Sequence, residues 1–158
     1  MIGNDVIDLT LAAKESNWRR KGFLQKIFTE SEQRRIQTAA HPDLMVWNLW
    51  SRKEAAYKIY NRETGIRTFN PLRLECTLSD DYNGAVTIDG RTYQTRTTFD
   101  LERMDTVAVS NPDYWPLVLD LARTDVEKKE GLPYRRGDKT PASVSHHGRF
   151  EKIVGFNY

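Results

Sequence analysis

The sequence predicts an α+β domain in which one long central helix packs on an antiparallel sheet. Two patterns carry this prediction. Residues 44–60 hold helical spacing, with Val46, Trp50, Glu54 and Tyr57 along one side and Leu49, Ala56, Ile59 and Tyr60 packing beside it. Downstream, residues 72–78, 85–88 and 91–97 alternate apolar and polar residues, and Asp89-Gly90 between the last two favours a two-residue hairpin turn. The length of 158 residues suits one domain with a sizeable core and is short for two.

The elements follow in order. Residues 4–9 read as an opening strand with Val6 on one face and Asp5 and Ile7 on the other. Residues 11–26 carry helical periodicity broken near Gly22, and Thr29 with Glu32 forms a capping box that opens a helix ending at about Ala39, before His41-Pro42. The long helix then runs to about Tyr60. Residues 61–65 terminate it, and Gly65 supplies the left-handed backbone of a sharp exit. After the hairpin, residues 106–110 read as another strand and residues 114–121 as a helix whose start is blurred by Trp115-Pro116. Residues 127–141, charged and punctuated by Gly131, Pro133, Gly137 and Pro141, read as turns and exposed loop. Ser143-Val-Ser-His-His then lies on a loop ahead of a last apolar strand at 153–156.

Composition narrows the classes of function. A single cysteine, Cys76, leaves no internal disulfide and no cysteine zinc site, so a reducing, cytoplasmic setting is expected. No apolar run approaches the roughly 20 residues of a membrane span, and the N-terminus is acidic where a secretion signal is basic. A formal charge of +2 does not argue for nucleic acid, so neither a nucleic-acid nor a membrane partner is expected. Local cations do cluster, as Arg19-Arg20-Lys21, Arg34-Arg35 and Arg52-Lys53; a solvated helix face is the ordinary reading of each.

Three constellations hold the residue types for chemistry: Asp5 with Asp8, Glu54 with Lys58, and Ser143 to His147. Each has an ordinary explanation. Glu and Lys four residues apart are a common surface pair on helices, and Ser-x-Ser-His segments make local turns. The functional reading takes Asp5 and Glu54 as oxygen ligands for Mg2+ and Lys58 as a phosphate contact, which requires the first strand to lie beside the long helix. There is no HExxH, no GxxxxGK[ST], no GxGxxG after a strand and no GxSxG, so zinc peptidase, P-loop, dinucleotide and α/β-hydrolase chemistry are unsupported.

The order of these motifs is more telling than any one of them. Ile2-Gly-Asn-Asp-Val-Ile-Asp, then Trp50-Ser-Arg-Lys-Glu-Ala-Ala-Tyr-Lys, then Ser143-Val-Ser-His resembles the 4′-phosphopantetheinyl transferase superfamily, in length closer to its single-domain holo-acyl-carrier-protein synthase type. Thr64-Gly65-Ile66 and Gly131-Leu-Pro133 are similar to family segments as well. The resemblance covers residues 1 to about 75 and 126–158, with residues 76–125 expected as an inserted hairpin region of one domain.

What the resemblance implies is specific. The activity is Mg-dependent transfer of 4′-phosphopantetheine from coenzyme A to a serine of an acyl or peptidyl carrier protein, with release of 3′,5′-ADP. Asp5 and Glu54 would hold Mg2+, with Asp8 or water as a third ligand. Lys58 would neutralise phosphate charge, and Gly65, Ser145 and His146 would line the coenzyme A site. Either Glu54 or a metal-bound water would accept the serine proton. Leu49 stands where some relatives carry an arginine, which leaves Arg52 as a candidate phosphate contact. Arg19, Arg20, Lys21 and Arg34 would face the acidic carrier protein. A homotrimer is the natural assembly, and a non-catalytic carrier-protein or coenzyme A binding module of the same fold is the alternative.

Overall fold

In the computed structural model, which describes residues 1–158, the N-terminal strand is the edge of the main sheet that faces a second, smaller sheet. The helices are α1 (Leu9–Glu15), α2 (Phe23–Ile27), α3 (Glu30–Thr38) and α4 (Pro42–Thr64). The strands are β1 (Ile2–Asp8), β2 (Glu75–Leu78), β3 (Asn83–Ile88), β4 (Arg91–Phe99), β5 (Arg103–Val109), β6 (Val118–Asp120), β7 (Val126–Lys129), β8 (Leu132–Arg135), β9 (Ser143–His147) and β10 (Phe150–Phe156). The main sheet is antiparallel with order β1-β5-β4-β3-β2, so the α+β prediction holds. A second sheet has order β6-β10-β9, and β7-β8 forms a separate hairpin.

Local chemistry sets the helix bounds. Pro42 stands in the first turn of α4, where its missing N–H costs nothing, and Asp43 meets the positive end of the helix dipole. Gly65 closes the helix at φ 75°, the left-handed exit expected of it. Thr29 and Glu32 make the expected capping box on α3. Glu32 does more than cap: its buried carboxylate takes Lys53 Nζ at 2.7 Å and the Cys76 amide at 2.8 Å, tying α3, α4 and β2 together. Arg52 is equally buried, bonded to Asn48 Oδ1, Thr95 Oγ1 and the Asp81 carbonyl.

One face of α4 and the main sheet enclose the larger core, around Val46, Leu49, Ala56, Ile59, Val86 and Met104. A smaller core of Ile2, Val109, Val154 and Phe156 joins the other face of β1 and β5 to β10. Gly3 permits the close approach of β1 to α4: a Cβ there would stand 2.0 Å from the Ala55 carbonyl oxygen.

Several sequence expectations give way. Residues 11–26 split into α1 and α2 around a turn containing Trp18. Residues 112–117 form a 3-10 turn leading into β6 instead of a helix to 121, because Pro112 and Pro116 remove amide donors. The expected loop at 127–141 contains the β7-β8 hairpin, turned by Glu130 and Gly131 at positive φ. Ser143 to His147 is a strand, not a loop. Residues 75–109 supply four of the five strands of the main sheet, and β5 pairs directly with β1.

Candidate active site

β1 lies at the edge of the main sheet, and side chains of β9 close that edge. Ser143 Oγ accepts the Asn4 amide at 2.9 Å, Ser145 Oγ accepts the Val6 amide at 3.0 Å, and His147 Nδ1 accepts the Asp8 amide at 2.9 Å. Three side chains at i, i+2 and i+4 of one strand face thus satisfy three successive edge donors of another. His147 Nε2 carries the ring proton in this arrangement and faces Glu15 Oε2 at 3.3 Å. This role for Ser143 and His147 was not expected, although the period-two Ser-x-Ser-x-His spacing was available to reveal it.

The close β1–α4 packing at Gly3 brings Asp5, two residues along the same strand face, beside Glu54 and Lys58. Asp5 and Glu54 line one cavity of about 310 Å³ together with His146, His147, Glu15, Trp47 and Trp50. Burial pushes the Asp5 carboxyl up to about 7; Lys58 opposes that shift and the Glu54 charge adds to it. Glu54 is raised from its ordinary value by burial, against the pull of Lys58. Lys58 is lowered by burial, with Asp5 and Glu54 countering. Its Nζ donates to the Asn4 carbonyl at 2.6 Å and the Val144 carbonyl at 3.1 Å, which joins α4 to β1 and β9.

Two carboxylates at one cavity wall, both made more basic by burial and one of them also by its neighbour, form a donor set suited to a hard divalent cation. They are a pair: no group of three His, Cys, Asp or Glu side chains converges anywhere in the chain. Water and substrate oxygens would complete the shell, as magnesium prefers.

The other expected residues are distributed as follows. Ser145 is buried and, besides accepting Val6, donates to Asp5 Oδ1 at 3.2 Å, so it orients the carboxylate. His146 is exposed at the mouth of the same cavity. Gly65 is the α4 terminus and lines no cavity beside Lys58. Asp8 does not join Asp5. It caps α1 through the Leu11 amide, pairs with Arg149, and is held well below the usual carboxylate range by those Arg149 contacts. Arg52 faces the interior, where no ligand phosphate reaches it. Arg20, Lys21 and Arg34 are exposed; Arg19, also exposed, stacks on Trp18 and pairs with Asp43.

Comparison with known proteins defines first the fold and then the family. The chain superposes on holo-[acyl-carrier-protein] synthase from Helicobacter pylori, solved in complex with coenzyme A, with a TM-score of 0.55 at 18% identity, covering 69% of this chain and 98% of that one. For the synthase from Neisseria meningitidis the TM-score is 0.56 at 15% identity, covering 68% and 94%. At these identities the likeness establishes a shared α+β fold. The sequence profile of the 4′-phosphopantetheinyl transferase superfamily matches residues 1–113. The chain therefore belongs to the 4′-phosphopantetheinyl transferase superfamily. A holo-[acyl-carrier-protein] synthase of Verminephrobacter eiseniae (strain EF01-2) is 34% identical over 59 residues, which is 37% of this chain and 45% of that protein, so the match spans less than half of the relative's length.

Proposed function

We propose that this chain is a Mg-dependent 4′-phosphopantetheinyl transferase that moves the phosphopantetheine group of coenzyme A to a serine of an acyl or peptidyl carrier protein and releases 3′,5′-ADP. The observation that carries this reading is the meeting of Asp5 and Glu54 at one cavity with Lys58 one helical turn from Glu54, in a chain of this superfamily.

Asp5 and Glu54 would hold the metal, and Ser145 Oγ fixes the rotamer of Asp5. Mg2+, when bound, neutralises charge on the diphosphate and polarises its phosphorus–oxygen bonds. Lys58 spends two of its three N–H donors on backbone carbonyls, which fixes the ammonium in place and leaves one donor for a phosphate oxygen. The carrier serine oxygen forms a bond to the β-phosphorus. The bond from that phosphorus to the bridging oxygen breaks, and its electron pair leaves with 3′,5′-ADP. The serine proton passes to Glu54, whose carboxyl burial raises above its ordinary value, or to water. His146 lies at the cavity mouth, where it contacts substrate oxygens as they enter.

Residues 1–158 act as one transferase domain in this reading, working in the cytoplasm. No helix is long and apolar enough to cross a membrane. The assembly is a homotrimer: the face of β2 to β4 opposite α4, with Thr77, Thr87, Arg96 and Thr98, is exposed and available to a second copy. Light scattering on the purified chain tests this, and a monomer mass at micromolar concentration contradicts it. Incubation with an apo carrier protein, coenzyme A and Mg2+, followed by mass spectrometry, tests the activity; several carriers without added mass would refute it.

A further inference from the structure

The strand β1 and the helix α1 are joined at Asp8 without an intervening loop, and the turn between β9 and β10 is folded around that one residue. His147 Nδ1 accepts the Asp8 amide at 2.9 Å. The Arg149 amide donates to Asp8 Oδ2 at 3.1 Å, and the Arg149 guanidinium reaches both carboxylate oxygens, at 3.0 and 3.3 Å. Between them Gly148 has φ 54°, and a Cβ there would stand 2.5 Å from Asp8 Oδ2, so only glycine lets the turn close this far. Backbone and carboxylate of Asp8 are thus held by three consecutive residues of a distant segment, in addition to the Leu11 amide that the carboxylate caps.

This joint lies where the walls of the Asp5 and Glu54 cavity meet. β1 lines that cavity with Asp5, α1 with Ala12 and Glu15, and β9 with His147. α1 has little else to hold it: it is seven residues long, Ala12 is its only buried residue, and so short a helix has almost no stability of its own. Its far end is tied back to the same histidine, with Glu15 Oε2 3.3 Å from His147 Nε2. The angle between the strand that carries Asp5 and the helix beside the cavity is therefore set at Asp8.

We infer that Asp8 is a positioning residue for the transfer reaction proposed above, and that the His147-Gly148-Arg149 turn is the clamp through which it is held. The catalytic part of this inference rests on that reading; the clamp itself rests on the contacts. Asp8 touches no reacting group in this role. It keeps β1 in the place that presents Asp5 beside Glu54 and keeps α1 as the wall over them, and a displacement of about 1 Å at such a site costs up to about a hundredfold in rate.

Three variants of the full chain test the inference. His147→Leu removes the acceptor of the Asp8 amide. His147→Asn restores it, because its side-chain oxygen is attached to Cγ as Nδ1 is. Arg149→Gln releases the carboxylate by changing a half-exposed side chain. Exchange of the Asp8 amide, followed by NMR with chelator present, reads the clamp without turnover, and kcat for phosphopantetheine transfer to an apo carrier protein reads its consequence. In His147→Leu the expected result is Asp8 exchange faster by about tenfold or more and kcat lower by about tenfold or more, with His147→Asn recovering most of each loss. In Arg149→Gln kcat falls by a similar factor while the Asp8 amide stays protected, and this variant decides the question if His147→Leu does not fold. Wild-type kcat in His147→Leu or Arg149→Gln overturns the inference, as does an Asn variant no better than the Leu variant. A wild type that transfers nothing to any carrier contradicts the transfer reading instead, and the exchange comparison then still decides the clamp.

Discussion

Replacing Asp5 by Asn is expected to make the metal-free protein more stable while removing its activity. The carboxyl is raised from 3.8 to about 7, chiefly by burial. A carboxyl whose folded pKa lies above its unfolded value binds more protons in the folded state, so its ionisation penalises folding progressively as pH rises from about 4 to about 7 and by a constant amount above that. The shift is about 3 pH units, which at about 1.4 kcal/mol per unit is a penalty of about 4 kcal/mol at pH 8. Asp5 keeps part of its surface in water, so about 2–4 kcal/mol is the realistic range. Asn keeps an oxygen for Ser145 Oγ and carries no charge, so it escapes this cost. For a chain of this size the gain corresponds to roughly 5–15 °C in Tm. Thermal melts by circular dichroism of both proteins at pH 5, 6.5 and 8, with chelator present, make the comparison. The predicted gain is already over a third of its full value at pH 5, because that pH lies above the unfolded pKa, and it reaches its full value by pH 8. A variant less stable than wild type at pH 8, or a gain independent of pH, would refute the reasoning.

Other consequences are as direct. Glu54→Gln should abolish phosphopantetheine transfer and also the Mg2+-dependent rise in Tm; wild-type turnover would remove Glu54 from the site. Gly3→Ala forces a methyl against the Ala55 carbonyl, and should cost about 3 kcal/mol or more in urea denaturation, with activity lost as β1 moves off α4. Retention of full stability would contradict the close packing. Glu32→Gln leaves Lys53 buried without its counter-charge and should cost about 3–5 kcal/mol in urea denaturation; a loss below about 1 kcal/mol would show that the pair is dispensable.

The parts legible in the sequence were those governed by local chemistry. The capping box at Thr29 and Glu32, the Asp89-Gly90 turn and the Gly65 exit each need only neighbouring residues, and all three occur as read. The long helix was legible because its apolar spacing repeats over several turns, though Pro42 and Thr64 extend it beyond 44–60. What failed depends on distant partners. The β7-β8 hairpin looks like a charged loop because Arg62, Arg135 and Arg136 anchor it through their guanidinium groups instead of an apolar face. Arg52 and Lys53 look like surface cations in sequence, and their burial is explained by acceptors gathered from distant segments: Ile27, Glu32 and Pro71 for Lys53, and β4 and the 79–82 turn for Arg52. Asp8 could not be told from Asp5 by type; the alternation of the strand sends it to Arg149 on the opposite face.

The central claim is that Asp5 and Glu54 form a metal-dependent phosphopantetheine transfer site. The most direct measurement is the intact mass of an apo carrier protein after incubation with this chain, coenzyme A and Mg2+, run beside Asp5→Asn, Glu54→Gln and a chelated control. The account predicts addition of one phosphopantetheine group by wild type alone. Addition by either variant at the wild-type rate, or no addition to any of several carriers, would contradict it.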